Sequence, residues 1–278
     1  MSSYLFAPKP SFDIESSVSV TRFTPNCRGL VARQVEFDLL VMGLSPSKDC
    51  WNVLNRISFG SSLQLTVSTK DYHMNVGDVL VLVPVSVTSH YEQRLDILPE
   101  PISRKIDGSP IAERNSLRFH WGSSSSCFQS DYPSSLAHRD GGTMTSFPSL
   151  VVPLGDSLIH LLCFISISSK AANSRKPLKL SAYSDPGIEI PGLSQTYFQN
   201  KCGVIEFPAP SVSKIKFFGS ADSSGVPIFI TKSYFGGQHF ISVEHTHPPH
   251  ELFWRNPAIS TCVPKLKSTW LNKRQCPQ

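Results

Sequence analysis

The sequence is poor in charged residues and lacks the motifs through which many enzymes bind cofactors. Of its 278 residues, 17% are charged and 40% are hydrophobic, whereas about a quarter of a soluble domain is usually charged. Such a chain covers part of its surface with Ser, Thr, Asn and apolar groups. This composition is common at subunit interfaces, and Ser-rich chains without any partner show it too. The sequence contains no phosphate-binding Gly loop, paired-carboxylate motif or dinucleotide fingerprint. No cofactor is predicted, and a protein that is not an enzyme is favoured.

Closely spaced cysteines and long apolar runs are also absent. The seven Cys form no Cys-x-x-Cys pair, and the N-terminus lacks the basic start and apolar stretch of a secretory signal. Most of the thiols are therefore expected to be free, in a reducing compartment. The apolar run around Cys163 has about half the length that a membrane-spanning helix needs. The sequence predicts a soluble protein with no membrane partner, or a product cut from a larger precursor.

Positive charge is concentrated only near the C-terminus. The net charge is +5, and the clustered Lys and Arg lie between residues 265 and 274. A dedicated nucleic-acid-binding protein usually clusters more of them and is more basic overall. A solvated basic tail is the favoured interpretation, and contact with RNA is the alternative.

Runs typical of paired β-strands dominate the rest of the chain. Residues 53–87 and 147–192 alternate apolar with polar or small residues and break at Gly, Pro, Asn or Asp. Residues 30–44 predict a half-buried strand, and weaker strand signals continue from residue 195 onward. Pro84 inside its run predicts an edge position or a bulge, because Pro cannot donate to the ladder.

The pattern predicts an all-β fold, specifically a jelly-roll β-sandwich. Long strands at irregular spacing, with large loops between them, favour this architecture over an immunoglobulin-like one. Residues 1–28, with three Pro and scattered Ser, are expected to form an extended N-terminal arm. Residues 29–195 are assigned to the jelly roll. Residues 196–278 are assigned to a C-terminal β extension, or part of a second domain, with a basic tail.

One candidate for nucleophilic catalysis is the run Gly155-Asp156-Ser157-Leu158, the signature of a hydrolase family with a Ser nucleophile. That chemistry needs the Ser on a turn between a strand and a helix, with a His within hydrogen-bond reach. Here the motif leads into an apolar strand and no helix follows. A turn before a strand is the favoured interpretation, and no catalytic residue is predicted.

His245 and His247 are the best candidates for metal ligands. Residues two apart on a strand share a face, and His250, Glu244 and Glu251 lie nearby in the sequence. No Cys is close and no second cluster completes a site. A solvent-exposed strand end is therefore favoured, and a metal site is the weaker alternative.

The central part of the chain is rich in aromatic residues, namely Phe119, Trp121, Phe128 and Tyr132. Platforms that stack single-stranded nucleic acid interleave aromatics with cations. The cations close in sequence are Arg114, Arg118 and Arg139. Packing in a core and at an interface is favoured over base stacking.

The order of motifs between about residues 30 and 192 resembles a known family. Phe59-Gly60 and Leu63-Gln64-Leu65 are followed by a run that opens on Gly77 and ends at Pro84. Later come an apolar-Pro step, a strand opening on Gly-x-Leu, a further strand and an acidic-apolar segment: Val152-Pro153, Gly155 to Leu158, Pro177 to Tyr183 and Asp185 to Gly192. This order is similar to that of picorna-like virus capsid proteins, in particular the coat proteins of plant secoviruses.

The resemblance implies a structural subunit of a non-enveloped icosahedral RNA-virus capsid that self-assembles around the genome. Its expected partners are other copies of itself, sister capsid proteins and genomic RNA, in the virion and in the host cytoplasm during assembly. Two alternatives stay open. One is a viral movement protein or other single-stranded RNA-binding β-protein, and the other is a metal-dependent β-sandwich enzyme or lectin that uses the His245 region.

Overall fold

The computed structural model of the chain is built almost wholly of β-strands. It describes residues 3–21, 37–45, 49–60, 62, 64–102, 114–129, 131–138, 145–146, 150–152, 158–183, 193–207, 215–221 and 225–245. In these residues the strands are β1 Ser3–Pro8, β2 Ile14–Thr21, β3 Phe37–Leu44, β4 Trp51–Ser58, β5 Gln64–Ser68, β6 Val79–Ser86, β7 Arg94–Leu95, β8 Arg114–Trp121, β9 Ser124–Phe128, β10 Tyr132–Pro133, β11 Thr145–Ser146, β12 Leu150–Val152, β13 Leu158–Ile165, β14 Pro177–Tyr183, β15 Gln195–Phe198, β16 Cys202–Phe207, β17 Ile215–Ala221, β18 Val226–Phe235 and β19 Gln238–His245. Helix in the described part is limited to α1, Ser134–Ala137, and two 3-10 turns, Thr69–Tyr72 and Ala171–Arg175. The prediction of an all-β protein is confirmed.

The strands form four antiparallel sheets. Sheet A has the order β10-β1-β6-β3-β4-β7, and sheet B has the order β5-β2-β8-β9. Sheet C has the order β16-β13-β18-β19. Sheet D has the order β11-β17-β14-β15, with β12 also paired to β17. Strands adjacent in sequence therefore often lie in different sheets.

Many of the strand pairs are nested in sequence and alternate between sheets. The pair β1·β6 lies in sheet A, and the pair β2·β5 inside it lies in sheet B. The innermost pair, β3·β4, lies again in sheet A. In the same way β13·β18 lies in sheet C, whereas β14·β17 inside it lies in sheet D. Each set is an antiparallel ribbon that crosses from one sheet to another.

One hydrophobic core is shared by sheets A, B and C. Its fully buried members include Leu39 and Val81 of sheet A, Ile14 and Phe119 of sheet B, and Cys163 of sheet C. In β1 every residue is buried, so sheet A is covered on both of its faces there. Removal of this apolar surface from water is the main term that stabilises the fold.

The described part of the predicted N-terminal arm is a pair of buried strands. Tyr4 and Leu5 of β1 have no exposed surface, and β2 lies between β5 and β8 in sheet B. Two of the Ser residues that suggested an arm, Ser16 and Ser17, are buried and bond to distant groups: the Ser16 amide donates to Thr69 Oγ1 over 3.1 Å, and Ser17 Oγ lies 3.1 Å from His120 Nε2. In the structure, the strands of residues 3–8 and 14–21 thus belong to sheets A and B.

One strand prediction differs from the structure in detail, and the first of the two strand-rich runs resolves into strands of different sheets. The described part of residues 30–44 is β3, whose first six residues are all buried, so it is covered on both faces rather than half-buried; its Asp38 accepts a 2.7 Å hydrogen bond from Arg56. The run from residue 56 to 68 is two strands in different sheets, and Gly60 between them has a φ of 52°. Pro84 pairs with Leu39 of β3 but lies beyond the residues of β6 that β1 covers, so it has an edge on one side as predicted.

Sheets C and D contain strands from both sides of the predicted boundary at residue 195. β13 pairs with β16 and with β18, and β14 pairs with β15 and with β17. The described residues after 195 therefore complete sheets that begin before it. The rest of the C-terminal segment, from residue 246, lies outside the described residues.

Candidate association surface

The predicted metal and nucleophile candidates fall largely outside the described residues. His245 is the last residue of β19, but its side chain is not described, and His247 lies outside the described part. Residues 153–157 are also outside it, and Leu158 is the first residue of β13. Among the described residues there is no group of three or more His, Cys, Asp or Glu side chains that could hold a metal ion.

The central aromatic residues divide between core and surface. Phe119 and Tyr132 are fully buried, and the Tyr132 hydroxyl accepts a 3.0 Å hydrogen bond from the Ile167 amide. Burial raises the pKa of Tyr132 well above its ordinary value. Phe128 stacks on Phe119 with the ring centroids 6.4 Å apart. Trp121, at the end of β8, is half-buried and belongs to a different cluster.

That cluster surrounds the turn between β18 and β19; residues 232–241, which contain the turn, are here called the aromatic hairpin. Phe235 pairs with Gln238, so Gly236 and Gly237 form a two-residue turn, and their φ angles are 59° and 80°. Positive φ at both positions defines a type I′ turn, whose twist matches that of the flanking strands. Gly is favoured there because a side chain strains this backbone conformation.

Large aromatic side chains are exposed on the hairpin and beside it. The exposed fractions are 91% for Phe12, 57% for Tyr234, 74% for Phe235 and 49% for Phe240. Paired residues share a face of a sheet and successive residues alternate. Phe240 pairs with Ser233 and so lies on the face of Phe235, while Tyr234 pairs with His239 on the opposite face. The hairpin therefore presents aromatic groups on both faces.

Packed rings support one face of the aromatic hairpin. The Trp121 and His239 rings meet edge to face at 4.5 Å, and the Tyr234 and His239 rings at 5.0 Å. Such contacts add stabilisation beyond the area that they bury. The Ile241 amide also donates to Ser124 Oγ over 3.2 Å, which joins β19 to β9 of sheet B. The aromatic hairpin is thus held against sheet B at its base.

A carboxylate links the rings to the N-terminal turn. Asp13 Oδ2 accepts hydrogen bonds from Lys232 Nζ at 2.6 Å and from Trp121 Nε1 at 2.9 Å. Lys232 Nζ also lies 5.4 Å from the centroid of the Trp121 ring, within the range of a cation–π contact. Burial raises the pKa of Asp13. The hydrogen bonds from Lys232, Ser11 and Trp121, together with the Lys232 charge, lower it by more, so the pKa lies below its ordinary value.

Replacing Gly122 by Ala is expected to disrupt this ring cluster. Gly122 has a φ of 54°, and a Cβ there would lie 2.5 Å from His239 Nδ1. The His239 ring must move, so the contact with Trp121 is lost and the variant is destabilised by roughly 1–3 kcal/mol. Trp fluorescence and urea unfolding measure the two effects. Gly60→Ala, at a φ of 52° with no atom near the added Cβ, is the control that isolates backbone strain. Equal effects from both variants would contradict the steric argument.

Asp13 is expected to make the fold sensitive to acid. Its pKa is lower in the folded state than in the unfolded state, so its contribution to stability is present above the unfolded value, near 4, and is lost as pH falls through the folded value. Asp13→Asn should therefore lower Tm at pH 7 and flatten the fall of Tm below about pH 4. The slope that remains in the variant includes Glu15, whose pKa is also lowered, since hydrogen bonds from Lys9 and Thr69 outweigh burial. An unchanged acid slope in the variant would show that the Asp13–Lys232 pair contributes nothing.

In two other places, a cavity and a pair of cysteines, charged or thiol groups already interact with other groups of the chain. A cavity of about 190 Å³ is lined by Tyr72, His73, Asp78, Asn200 and Lys201 among others, and Lys201 Nζ bonds to Asp78 Oδ1 within it. Cys163 and Cys202 are buried free thiols on neighbouring strands. A hydrogen bond to Cys202, together with burial, raises the pKa of Cys163, so its thiol is held in the protonated, unreactive form.

Comparisons of the chain with family models, with curated proteins and with solved structures find no match. None of the helices among the described residues has the length and apolar character to cross a membrane.

The exposed aromatic residues were not predicted as a site from the sequence. The pattern Tyr-Phe-Gly-Gly-Gln-His-Phe, with aromatics flanking a Gly-Gly turn, is the local signal that could have found them.

Proposed function

We propose that the chain is a structural, self-associating subunit of a non-enveloped RNA-virus capsid, of the picorna-like type that its sequence resembles. The observation that carries the proposal is the nesting of strand pairs across two sheets. In a jelly roll, a folded-over antiparallel ribbon contributes strands alternately to two facing sheets, and viral capsid domains are among the proteins built this way. The pairs β1·β6, β2·β5 and β3·β4 alternate between sheets A and B in this manner.

The second ribbon and the surface also support a role in assembly. β13·β18 and β14·β17 alternate between sheets C and D, which suits either a continuation of the first unit or a second, smaller unit. Exposed aromatic side chains on a chain with few charges suit a protein that buries surface against other subunits. The proposed partners are other copies of the chain, sister capsid proteins and genomic RNA, in the virion and the host cytoplasm.

Electron microscopy and light scattering test the proposal directly. The chain would be co-expressed with the neighbouring products of its precursor, and we expect uniform closed particles with a symmetric arrangement of subunits. A chain that stays monomeric under all conditions, and is absent from any particle, would overturn the proposal.

The alternative of a single-stranded RNA-binding β-protein predicts a different result. The monomer would bind RNA with micromolar or better affinity in filter binding, and the affinity would fall steeply with salt. The exposed aromatics of the aromatic hairpin suit base stacking, but Lys232 beside them is already paired with Asp13. The third alternative, a metal-dependent enzyme or lectin, stays a prediction, which metal analysis of the wild type and of His245→Ala/His247→Ala tests.

A further inference from the structure

We propose that the aromatic hairpin, together with Phe12, is the surface through which one copy of this chain binds a second copy. The inference rests on the proposed function, because it names the contact through which the chain would self-associate. Four observations support it: the exposed aromatic area, the local charge, the rigidity of the aromatic hairpin and the position of the aromatics on both of its faces.

The exposed aromatic area is comparable to the largest apolar patch of a typical monomer, and such a patch is often functional. With about 200 Å² for each fully exposed aromatic side chain, the exposed fractions of Phe12, Tyr234, Phe235 and Phe240 correspond to roughly 500 Å². A specific interface buries about 800 Å² on each partner, and the largest apolar patch of a typical monomer is about 300–600 Å². A partner that buried both faces of the aromatic hairpin and Phe12 would therefore gain more than half of one side of a stable interface, through the aromatic residue types in which interfaces are enriched.

The charge of the surface suits a second copy of the same chain. In a two-fold symmetric contact the same patch meets itself, so an uncompensated charge would be repelled by its own copy. Residues 232–241 contain one Lys, Lys232, and no Arg, Asp or Glu. The Lys232 ammonium group pairs with Asp13 at 2.6 Å. A polyanion such as RNA would instead require cations that are not already paired. The surface is thus apolar and locally neutral, as self-recognition requires.

The aromatic hairpin is also ordered before it binds. The type I′ turn fixes the tip, and the His239 ring, which itself packs against Trp121, contacts Tyr234 from one side. A preorganised surface loses less conformational entropy on association, so more of the burial energy appears as affinity. Because Phe235 and Phe240 lie on the face opposite Tyr234, a partner that enclosed the tip would bury aromatic groups on both faces.

The test is sedimentation velocity of the full chain between roughly 1 and 100 μM, for the wild type and for Phe235→Ser/Phe240→Ser. Aromatic anchors buried at an interface carry much of its binding energy, so we expect the double variant to associate at least 100-fold more weakly. The side chains are exposed in the monomer, so its Tm should change little. Phe198→Ser is the matched control, because Phe198 is 51% exposed and lies near Ser166, beyond the opposite end of β13 from the aromatic hairpin.

The outcomes separate this inference from the proposed function. Weak association of the double variant, with normal association of Phe198→Ser, supports the inference. Equal association of the double variant and the wild type overturns it and leaves the capsid proposal intact. A wild type that is monomeric alone but enters particles with sister proteins also overturns it, since the partner is then not a second copy. Association only after RNA is added overturns it too, and a chain that forms neither oligomers nor particles overturns both proposals.

Discussion

Arg56→Ala is expected to lower the free energy of unfolding by roughly 3–5 kcal/mol, the usual result of removing one partner of a largely buried ion pair. The Arg56 guanidinium donates to Asp38 Oδ2 at 2.7 Å, and the Asp38 side chain is only 7% exposed. The variant would leave this carboxylate without its cation in the interior of β3. The unpaired buried charge, rather than the lost attraction, accounts for most of the expected cost.

The guanidinium also organises the chain that follows β6. Beyond Asp38, it donates to three backbone carbonyls at and after the end of β6, those of Ser86, Val87 and Ser89. Only a planar group with several donors can bond to all of these acceptors at once. Arg56→Lys should keep the charge but lose most of the carbonyl bonds, with an intermediate loss of stability.

Urea unfolding followed by far-UV circular dichroism measures both Arg56 variants. The matched control is Arg175→Ala, which removes an ion pair with Asp49 in which the Arg side chain is 78% exposed. Exposed pairs contribute about 0–1 kcal/mol, so this variant should unfold almost as the wild type does. If Arg56→Ala and Arg175→Ala were equally stable, the interior pair would have no special role.

Trp51→Ala is expected to cost roughly 3–5 kcal/mol, the range found when a large buried aromatic side chain is truncated. Trp51 at the start of β4 has no exposed surface, and its Nε1 donates to the Ser169 carbonyl over 2.9 Å. The side chain thus packs in the shared core and joins sheet A to the segment after β13. Truncation would leave a cavity and remove this link.

Trp51→Phe separates the two contributions. The ring of Phe retains most of the packing but cannot donate to Ser169, whose carbonyl still accepts from the Leu98 amide at 2.8 Å. We expect a loss of about 1–2 kcal/mol from this variant in the same urea experiment. Leu54→Ala, on the same strand but 43% exposed, should cost less than about 1 kcal/mol. A Trp51→Ala variant no less stable than Leu54→Ala would refute the assignment of Trp51 to the core.

Local patterns in the sequence were enough to predict many of the strands. β18 and β19 lie where the weaker strand signals after residue 195 predicted strands, because β-branched and aromatic residues flank a Gly-Gly turn and both signals are encoded in adjacent residues. β1 and β2 were missed because their signal is not local. Ser16 is buried beneath Thr69, 53 residues away, and no pattern within residues 14–21 reveals that partner.

The same limit applies to the candidate surface. The aromatics that flank Gly236 and Gly237 can be recognised from the sequence as an exposed hairpin. The carboxylate beneath them cannot, because Asp13 is 108 residues from Trp121 and 219 from Lys232. Sheet membership is likewise decided by pairing between distant strands, which periodicity does not specify.

Because the pairing is nested, the early strands cannot complete their sheets until much later parts of the chain have been synthesised. Leu5 pairs with Leu82, and Ile14 pairs with Trp121, so β1 and β2 leave the ribosome long before their partners do. Nor can Asp13 meet Lys232 until nearly the whole described chain exists. Topologies with such distant contacts fold in milliseconds to seconds rather than microseconds, and their unpaired strand edges are prone to aggregation in the meantime. A nascent chain of this protein would therefore spend most of its translation time with open edges, the condition in which chaperones bind.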